Sequence, residues 1–345
     1  MIEITIGLIT GNQTIINFLE YIKNYKSSKI ILIVSYQPLN KIIKYFLRDQ
    51  LTHKNLIYIE GRRLKLFNLI FKILSKIKFL KFIISLKSVI ATTPITFLIT
   101  LKKINTLYKN VPFILIGEAM GIYQRGVTSL RKGHKENPKI IKFLNQNSDL
   151  NKKIENSPSF FCYKKNNEDN LCITNKSRHN KVFELCEKSA NFIFDKNNIF
   201  IPNDPNNEYV IFSPAAYCES GRLNKTEFEL LIDEVLEIFI KQEYSSLVYK
   251  NKKINFILKL HPGITKESEI IIEKAFKKLS IKNDNFNFFQ TKLPKWISTE
   301  IVAVYYLNLG SNISLIASQT SLEYCRDILK IHSLDIENIK KRLFT

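Results

Sequence analysis

The sequence predicts an α/β protein made of two halves, each a parallel sheet flanked by helices. Its 345 residues exceed the size at which one hydrophobic core usually stops growing, which favours two domains. In the first 120 residues, short Ile- and Val-rich runs alternate with amphipathic segments, a pattern typical of strands joined by helices. The same alternation resumes at Glu208.

The first half contains strands and helices in strict alternation. Strands are predicted at "EITIGLIT", "KIILIVSY" and "NLIYIEG", and helices between them at "IINFLEYIKNY" and "PLNKIIKYFLRDQL". Two further strands are predicted at Ser88–Thr93 and Val111–Glu118. A helix between two strands returns the chain to the same end of the sheet, so these strands are expected to be parallel.

The second half repeats this order. Strands are predicted at "EYVIFSP", "KINFILKL", "FNFFQ" and "ISLIAS", and helices at "NKTEFELLIDEVLEIFIKQ", "TKESEIIIEKAFKKL", from about Ser298, and at "SLEYCRDIL". Between Gly121 and Asn207 the periodicity weakens and Asn- and Lys-rich pieces appear, which indicates loops, short helices and the crossing between domains. The predicted domains are therefore residues 1–200 and 201–345.

The segment Leu64–Leu86 is apolar, basic and long. Lysines interrupt it every few residues, which a membrane-spanning helix tolerates only at high cost. Two alternatives fit this pattern: a helix lying on an anionic membrane surface, and a core helix of a soluble domain with a solvated lysine face.

The formal net charge is +21, from 52 Lys and Arg against 31 Asp and Glu. Such a charge attracts polyanions, although a composition rich in Lys, Asn and Ile gives the same excess without selection for binding. The five cysteines include no CxxC pair, so a reducing cytoplasm is expected and neither a zinc site nor a disulfide framework is. The start, "MIEITIGLITGN", is interpreted as a first strand and not as a signal peptide.

The run "INFILKLHPG" places His261, Pro262 and Gly263 directly after a buried strand. In open parallel sheets, ligands bind at the carboxyl ends of the strands, so this position favours a functional histidine. The alternative is a histidine that caps an ordinary strand-to-helix turn.

Polar residues also follow the other strands of the second half. The first strand leads into "FSPAAYCESGRLNKTEFELL", with Ser213, Glu219 and the helix N-cap candidate Asn224. The last strand region carries an acid and several small hydroxyl residues, which suit a phosphate at a helix N-terminus. These residues are Glu300, Ser311, Ser314, Ser318, Thr320 and Ser321.

The motifs "SP…E.GRL", "LKLHPG" and "TEIVAVYYL.LGSNISLIAS", in this order, resemble the nucleotide-binding domain of bacterial sialyltransferases of the GT-B type, above all the polysialyltransferase-like group. The resemblance implies two Rossmann-like domains that face each other across a cleft. It also implies that His261, followed by Pro262 and Gly263, contacts the CMP phosphate and assists its departure.

The resemblance assigns further roles in the second half and one in the first. Glu300 would hold the ribose or base of CMP, and the serine motif would be supplied by Ser311, Ser314, Ser318 and Thr320. The acidic motif corresponds to "FILIGEAMGIYQRG", in which Ala119 and Met120 stand where the family has a second acid and a glycine. Glu118 is the candidate base for the acceptor hydroxyl. A helix-capping role for Glu118 and a base at Glu60 are the alternatives.

The expected activity is inverting transfer of sialic acid from CMP-sialic acid to a hydroxyl of a cell-surface glycan. No Asp-x-Asp motif is present, so neither a metal nor another cofactor is expected. Arg125 and Arg131 in the loop after Glu118 suit an acidic glycan acceptor. One alternative is a Kdo or polyol-phosphate transferase with a CMP- or CDP-linked donor. The other is a basic protein that binds a membrane surface or a polyanion. Nucleic acid is not an expected partner, because no RNA-binding or zinc signature is present.

Overall fold

The computed structural model describes residues 2–25, 27–61, 84–92, 94–117, 138–160, 172–173, 176–197, 204, 206–244, 253–282, 286–289 and 293–344. The chain divides into two compact units, Met1–Ile193 and Phe194–Thr345. The predicted division lies near residue 200.

The first unit contains a parallel sheet of seven strands in the order β3-β2-β1-β4-β5-β6-β7. Its strands are β1 Ile2–Ile9, β2 Ile30–Ser35, β3 Asn55–Glu60, β4 Ile84–Ala91, β5 Phe113–Ile116, β6 Ser159–Phe160 and β7 Cys172–Ile173. Its helices are α1 Ile15–Asn24, α2 Lys41–Gln50, α3 Leu98–Leu107, α4 Pro138–Asn145, α5 Ser148–Glu155 and α6 Lys176–Asn197, the last of which crosses the boundary between the units. Short 3-10 turns lie at Asn12–Thr14 and Pro94–Phe97.

The second unit contains a parallel sheet of five strands in the order β10-β9-β8-β11-β12. Its strands are β8 Asn207–Ser213, β9 Lys253–Leu258, β10 Phe286–Phe289, β11 Asn312–Ala317 and β12 His332–Asp335. Its helices are α7 Lys225–Phe239, α8 Lys266–Lys282, α9 Thr299–Asn308, α10 Gln319–Asp327 and α11 Ile336–Phe344, and a π-helical turn at Ile240–Tyr244 follows α7.

Both sheets have the strand order of a doubly wound fold. In each sheet, the second and third strands along the chain lie on one side of the first strand, and the strands that follow lie on its other side. The order therefore reverses between β1 and β4 in the first unit and between β8 and β11 in the second. A crevice opens at such a reversal, outside the carboxyl ends of the strands. The predicted α/β class with parallel sheets is confirmed.

The core of the second unit shows why one face of its sheet is covered by α7 and α8. Phe212 of β8 and Phe256 of β9 point to the same face and pack on Phe276 of α8, with ring centroids 5.0 and 4.9 Å apart. All three side chains are almost fully buried. Edge-to-face aromatic packing of this kind fixes the position of α8 along the strands. It therefore also fixes where the loop from β9 enters the helix.

The structure differs from the predicted elements in three places. The weakly periodic region contains the 22-residue helix α6. Strand β4 begins at Ile84, so the last three residues of the predicted helix Leu64–Leu86 belong to a strand, and residues 64–83 lie outside the described residues. Strand β12 and helix α11 were not predicted.

Candidate functional site

The carboxyl ends of β8, β9 and β11 lie level at one edge of the second sheet. Ser213 pairs with Ala317 and Phe212 with Leu258 in the parallel registers, and the backbone N–H of Lys259 donates to the carbonyl of Phe212. Neighbouring strands are about 4.8 Å apart, so the loops that leave these three strands meet at the point where the strand order reverses.

His261 lies two residues beyond this level, in a tight turn and not in an extended loop. The N–H of Ile264 donates to the carbonyl of His261 across the turn, and the N–H of Gly263 donates to Nδ1 of the imidazole at 3.0 Å. Because Nδ1 accepts a hydrogen bond, the neutral ring carries its proton on Nε2. The side chain is solvent-exposed.

A side chain at position 263 would crowd this ring. A Cβ atom at this position would lie 3.2 Å from Nδ1 of His261 and 3.5 Å from the Cβ of Ala216. The absence of a side chain at Gly263 therefore leaves room for the imidazole of His261.

Glu219 ties the loop after β8 to the start of α8. One oxygen of its carboxylate accepts from the N–H of Thr265 at 2.7 Å and from the Thr265 hydroxyl at 2.8 Å. Burial alone raises the pKa of Glu219, but the hydrogen bonds from the Thr265 backbone, from Ser268 and from the Thr265 hydroxyl outweigh it and lower the pKa. The N-terminus of α8 is thus already occupied by a carboxylate of the chain.

Helix α9 begins at the same edge. The Ser213 and Thr299 hydroxyl groups are 2.7 Å apart, which joins the end of β8 to the first residue of the helix. The N-cap is Ser298, whose hydroxyl accepts from the N–H of Ile301. Glu300, the acid that the sequence predicted to hold the ribose or base, lies in this first turn and is only 3% exposed.

Ser318, the residue after β11, holds the loop after β8 in place. Its hydroxyl accepts from the N–H of Ala215 at 3.0 Å and is 2.8 Å from the hydroxyl of Tyr217. Tyr217 is fully buried, with the guanidinium of Arg222 4.7 Å and the ammonium of Lys340 5.4 Å from its ring centroid. This network joins three chain segments at the strand-order reversal.

Helix α10 starts directly after Ser318 without a side-chain cap. Ser318 is its N-cap residue, yet the hydroxyl makes no capping hydrogen bond to the helix. The first backbone N–H groups of a helix have no partner inside the helix, and at α10 the Ser318 hydroxyl does not supply one. Helix α7, by contrast, has a full capping box from Asn224 and Glu227, which confirms the predicted N-cap. Thr320 lies in the first turn of α10.

Lys259 is a buried cation beside this site that the sequence analysis did not identify. It is 3% exposed, and its Nζ donates to the carbonyls of Leu260 at 2.8 Å and Lys295 at 3.2 Å. Burial lowers the pKa of Lys259 to about 8, with Glu300 raising it and Lys295 lowering it further. A lysine within the apolar run "FILKLH" was a visible signal, but its burial depends on the loop that covers it.

Two residues of the predicted serine motif lie at the other end of β11. Ser311 precedes the strand, and Ser314 is its third residue, with a hydroxyl that donates to Glu208 at 3.3 Å. At about 3.3 Å per residue, Ser314 is about 13 Å from Ser318 along the strand. His261, Pro262, Gly263, Glu300, Ser318 and Thr320 therefore all lie in the loops or helix starts at the carboxyl edge of the sheet, whereas Ser311 precedes β11 and Ser314 lies within it.

Glu118 and the basic loop with Arg125 and Arg131 lie outside the described residues. Strand β5 ends just before Glu118, and the carbonyl of Gly117 accepts a buried hydrogen bond from Nδ2 of Asn17.

Glu60, the alternative base, ends β3 at the edge of the first sheet. Its carboxylate accepts from the N–H of Leu39 at 3.0 Å and pairs with Lys44 at 2.6 Å. These contacts give it a structural role in joining β3 to α2.

The described part of the chain contains neither a cluster of metal-binding side chains nor a membrane-spanning helix. No group of three or more His, Cys, Asp or Glu side chains that could hold a metal ion occurs among these residues. No described helix is long and apolar enough to cross a membrane. The expected independence from metal ions stays a prediction.

Comparison with known proteins yields structural neighbours and no sequence relatives. No protein-family model and no curated protein matches the chain. Over its whole length the chain superposes on UDP-GlcNAc 2-epimerase from Methanocaldococcus jannaschii, with a TM-score of 0.50, 14% identity and 92% of that chain covered. Over 96% of its length it also matches UDP-N-acetylglucosamine 2-epimerase from Rickettsia bellii, with a TM-score of 0.48, 16% identity and 78% of that chain covered. A third match, over the whole length, is MurG from Acinetobacter baumannii, with a TM-score of 0.40, 7% identity and 90% of that chain covered.

At these identities the likeness bears on the fold alone, and the Methanocaldococcus jannaschii protein supports it with a TM-score of 0.50. The match extends over both units of the chain, and each unit has its own parallel, doubly wound sheet. The predicted fold class, α/β of the GT-B type with two Rossmann-like domains, is confirmed.

Proposed function

We propose that the protein is a glycosyltransferase that uses a nucleotide-sugar donor, and that its second unit binds the nucleotide at the carboxyl edge of β8, β9 and β11. One observation carries this proposal: at the strand-order reversal, the uncapped N-terminus of α10 and the exposed imidazole of His261 belong to loops that leave the same edge of one sheet. Backbone N–H groups and an imidazole N–H are the donors that a phosphate accepts from.

The donor we propose is CMP-sialic acid, on the strength of the HP motif and of the part of the serine motif, Ser318 and Thr320, that follows β11. In this reaction the bond between the anomeric carbon of the sugar and the phosphate oxygen breaks, and the leaving CMP keeps the electron pair. His261 would donate its Nε2 proton or hydrogen bond to that oxygen, while α10 stabilises the phosphate charge. Glu118, which follows β5 in the first unit, would take the proton of the attacking acceptor hydroxyl. The acceptor would be an acidic glycan.

A donor screen tests the proposal. The purified protein is incubated with CMP-sialic acid, CMP-Kdo, CDP-linked polyols and UDP-GlcNAc, each with and without sialylated oligosaccharide acceptors, and nucleotide release is measured. We expect acceptor-dependent release of CMP from CMP-sialic acid. Release of nucleotide only from CMP-Kdo or a CDP-linked donor would support the proposed nucleotide site and show that the donor is not CMP-sialic acid. Conversion of UDP-GlcNAc without release of nucleotide would contradict the transferase and indicate an epimerase, the activity for which the neighbour from Methanocaldococcus jannaschii is named.

A further inference from the structure

Two lysines join the His261 turn to the loop that starts α9. Lys259, at the end of β9, donates from its Nζ to the carbonyl of Lys295. Lys295, in the loop before α9, donates from its own Nζ to the carbonyl of Ile264 at 2.8 Å and pairs with Glu269 at 3.3 Å. The two segments are thus joined by two hydrogen bonds, and each segment donates one of them from a lysine to a backbone carbonyl of the other. We call this pair, Lys259 and Lys295, the lysine clamp.

The clamp lies between the elements that the nucleotide site needs. On one side, the turn closed by the Ile264 N–H carries His261. On the other, the loop leads from Lys295 within four residues to the Ser298 cap and to Thr299, whose hydroxyl lies 2.7 Å from that of Ser213. Neither segment has regular secondary structure, so their separation depends on such cross-links.

The two lysines differ in burial, and the difference indicates which of them sets the geometry. The Lys295 side chain is 35% exposed, so water can replace its contacts at little cost. Lys259 is 3% exposed, and its Nζ donates to two backbone carbonyls. A desolvated ammonium bound to carbonyls has few other arrangements, because any displacement leaves a buried charge without a partner.

We propose that Lys259 is a positioning residue for the nucleotide, because its buried side chain holds the His261 turn and the start of α9 at the separation that a bound phosphate requires. This inference rests on the proposed function for the identity of the ligand, whereas the clamp can be measured without one.

The test compares Lys259→Met with Lys253→Met, which changes an exposed lysine at the other end of the same strand. Hydrogen exchange of peptides 259–265 and 293–302 is measured in the ligand-free full chain, and CMP affinity is measured by calorimetry. We expect Lys259→Met to exchange about tenfold faster in both peptides and to bind CMP about tenfold more weakly, as the loss of a charged hydrogen bond predicts. Lys253→Met is expected to change neither property.

Two further variants separate positioning from general stability. Lys259→Arg keeps the charge and the donors, so it is expected to recover most of the CMP affinity. Lys295→Met is expected to weaken CMP binding less than Lys259→Met does, because the Lys295 side chain is partly exposed, and to add little to Lys259→Met, because both lysines hold the same two segments. A merely structural lysine would change the melting temperature without this coupling.

The outcomes distinguish the inference from the proposed function. If the wild type does not bind CMP while Lys259→Met still accelerates exchange in both peptides, the clamp stands and the proposed ligand is wrong. If the folded Lys259→Met variant keeps wild-type exchange and CMP affinity, the positioning role is wrong. Should Lys259→Met fail to fold, Lys259→Gln, which is shorter and uncharged, is judged by the same two measurements.

Discussion

The backbone N–H of Gly263 donates to Nδ1 of His261 at 3.0 Å, and the two residues are neighbours in one turn. This bond determines the tautomer of the neutral ring, because a nitrogen that accepts a hydrogen bond cannot also carry the proton. The Nε2–H is therefore the group that can donate to a ligand. A strand-end histidine held in one tautomer suits the stabilisation of a leaving phosphate better than a mobile surface side chain does.

The first prediction concerns His261 itself. His261→Ala should lower the rate of CMP release about 100- to 1000-fold, which is the usual cost of losing one preorganised donor. Its melting temperature should not change, because the side chain is exposed. The control is His332→Ala, which changes an exposed histidine at the opposite edge of the same sheet. Near wild-type turnover in His261→Ala would exclude the leaving-group role.

The second prediction uses Gly263. In Gly263→Ala the added methyl group would lie 3.2 Å from Nδ1, so the imidazole must shift and the bond that fixes its tautomer must lengthen. We expect kcat to fall about tenfold while CMP affinity changes little. Gly221→Ala, in the loop after β8, is the contrasting variant. A Cβ there meets nothing within 4 Å, but its φ of 67° makes the change costly in stability instead. Equal losses of kcat in the two variants would argue against the special role of Gly263.

The third prediction separates the two candidate acids. Glu118→Gln should abolish acceptor-dependent transfer and leave CMP binding unchanged, because the amide keeps the shape and loses the base. Glu60→Gln should instead lower stability by about 1 kcal/mol or less, since it weakens a partly exposed ion pair with Lys44. Transfer by Glu118→Gln at a wild-type rate would place the base elsewhere.

The fourth prediction follows from the pKa of Lys259, which burial lowers to about 8 from 10.5. Between these two values the unfolded chain holds a proton that the folded chain has lost, so this group makes the protein more stable as pH rises. Lys259 adds on the order of 3 kcal/mol to the free energy of unfolding by pH 10.5. Other groups that titrate in the same range reduce the net change. Comparing the urea unfolding of the wild type and of Lys259→Met at pH 7 and pH 9.5 isolates the contribution of Lys259. An identical pH dependence in the two proteins would show that Lys259 does not titrate in this range.

The fifth prediction tests the source of the basic charge. If the predicted helix Leu64–Leu86 lies on a membrane, changing Lys72, Lys76 and Lys81 to Gln should release the protein from anionic vesicles, at about 1 kcal/mol per lysine. If the acceptor is acidic, changing Arg125 and Arg131 to Gln should raise its KM and leave vesicle binding alone. Both effects should weaken as salt rises from about 50 to 200 mM. No change in either property would assign the net charge of +21 to composition.

Much of the fold follows from the sequence, because buried parallel strands consist of consecutive apolar residues. The run before His261 and the turn residues after it placed the histidine at the carboxyl edge of the sheet, where the structure has it. Helix α6 was missed, although its buried positions recur with helical spacing. These positions are Val182, Leu185, Cys186, Ser189, Ala190, Ile193 and Phe194. Polar residues among these positions obscure the helical period, and the Asn- and Lys-rich composition of the segment favours a loop.

The rest of the site depends on tertiary contacts that no local pattern contains. A serine-rich stretch does not reveal at which end of a strand each hydroxyl lies, so Ser314 and Ser318 were grouped although β11 separates them. The contact of Tyr217 with Ser318 joins residues 101 positions apart, and no local pattern predicts it. Lys259 read as part of a strand, and its burial is completed by the loop that contains Lys295.

The location of the nucleotide is tested most directly by hydrogen exchange of the full-length protein with and without CMP. We predict that CMP slows exchange in the loop after β8, the His261 turn, the start of α9 and the first turn of α10, and that peptides covering Ser311 and Ser314 are unchanged. Slower exchange confined to the first unit, or centred on residues 311–314, would contradict a nucleotide site at the carboxyl edge of β8, β9 and β11.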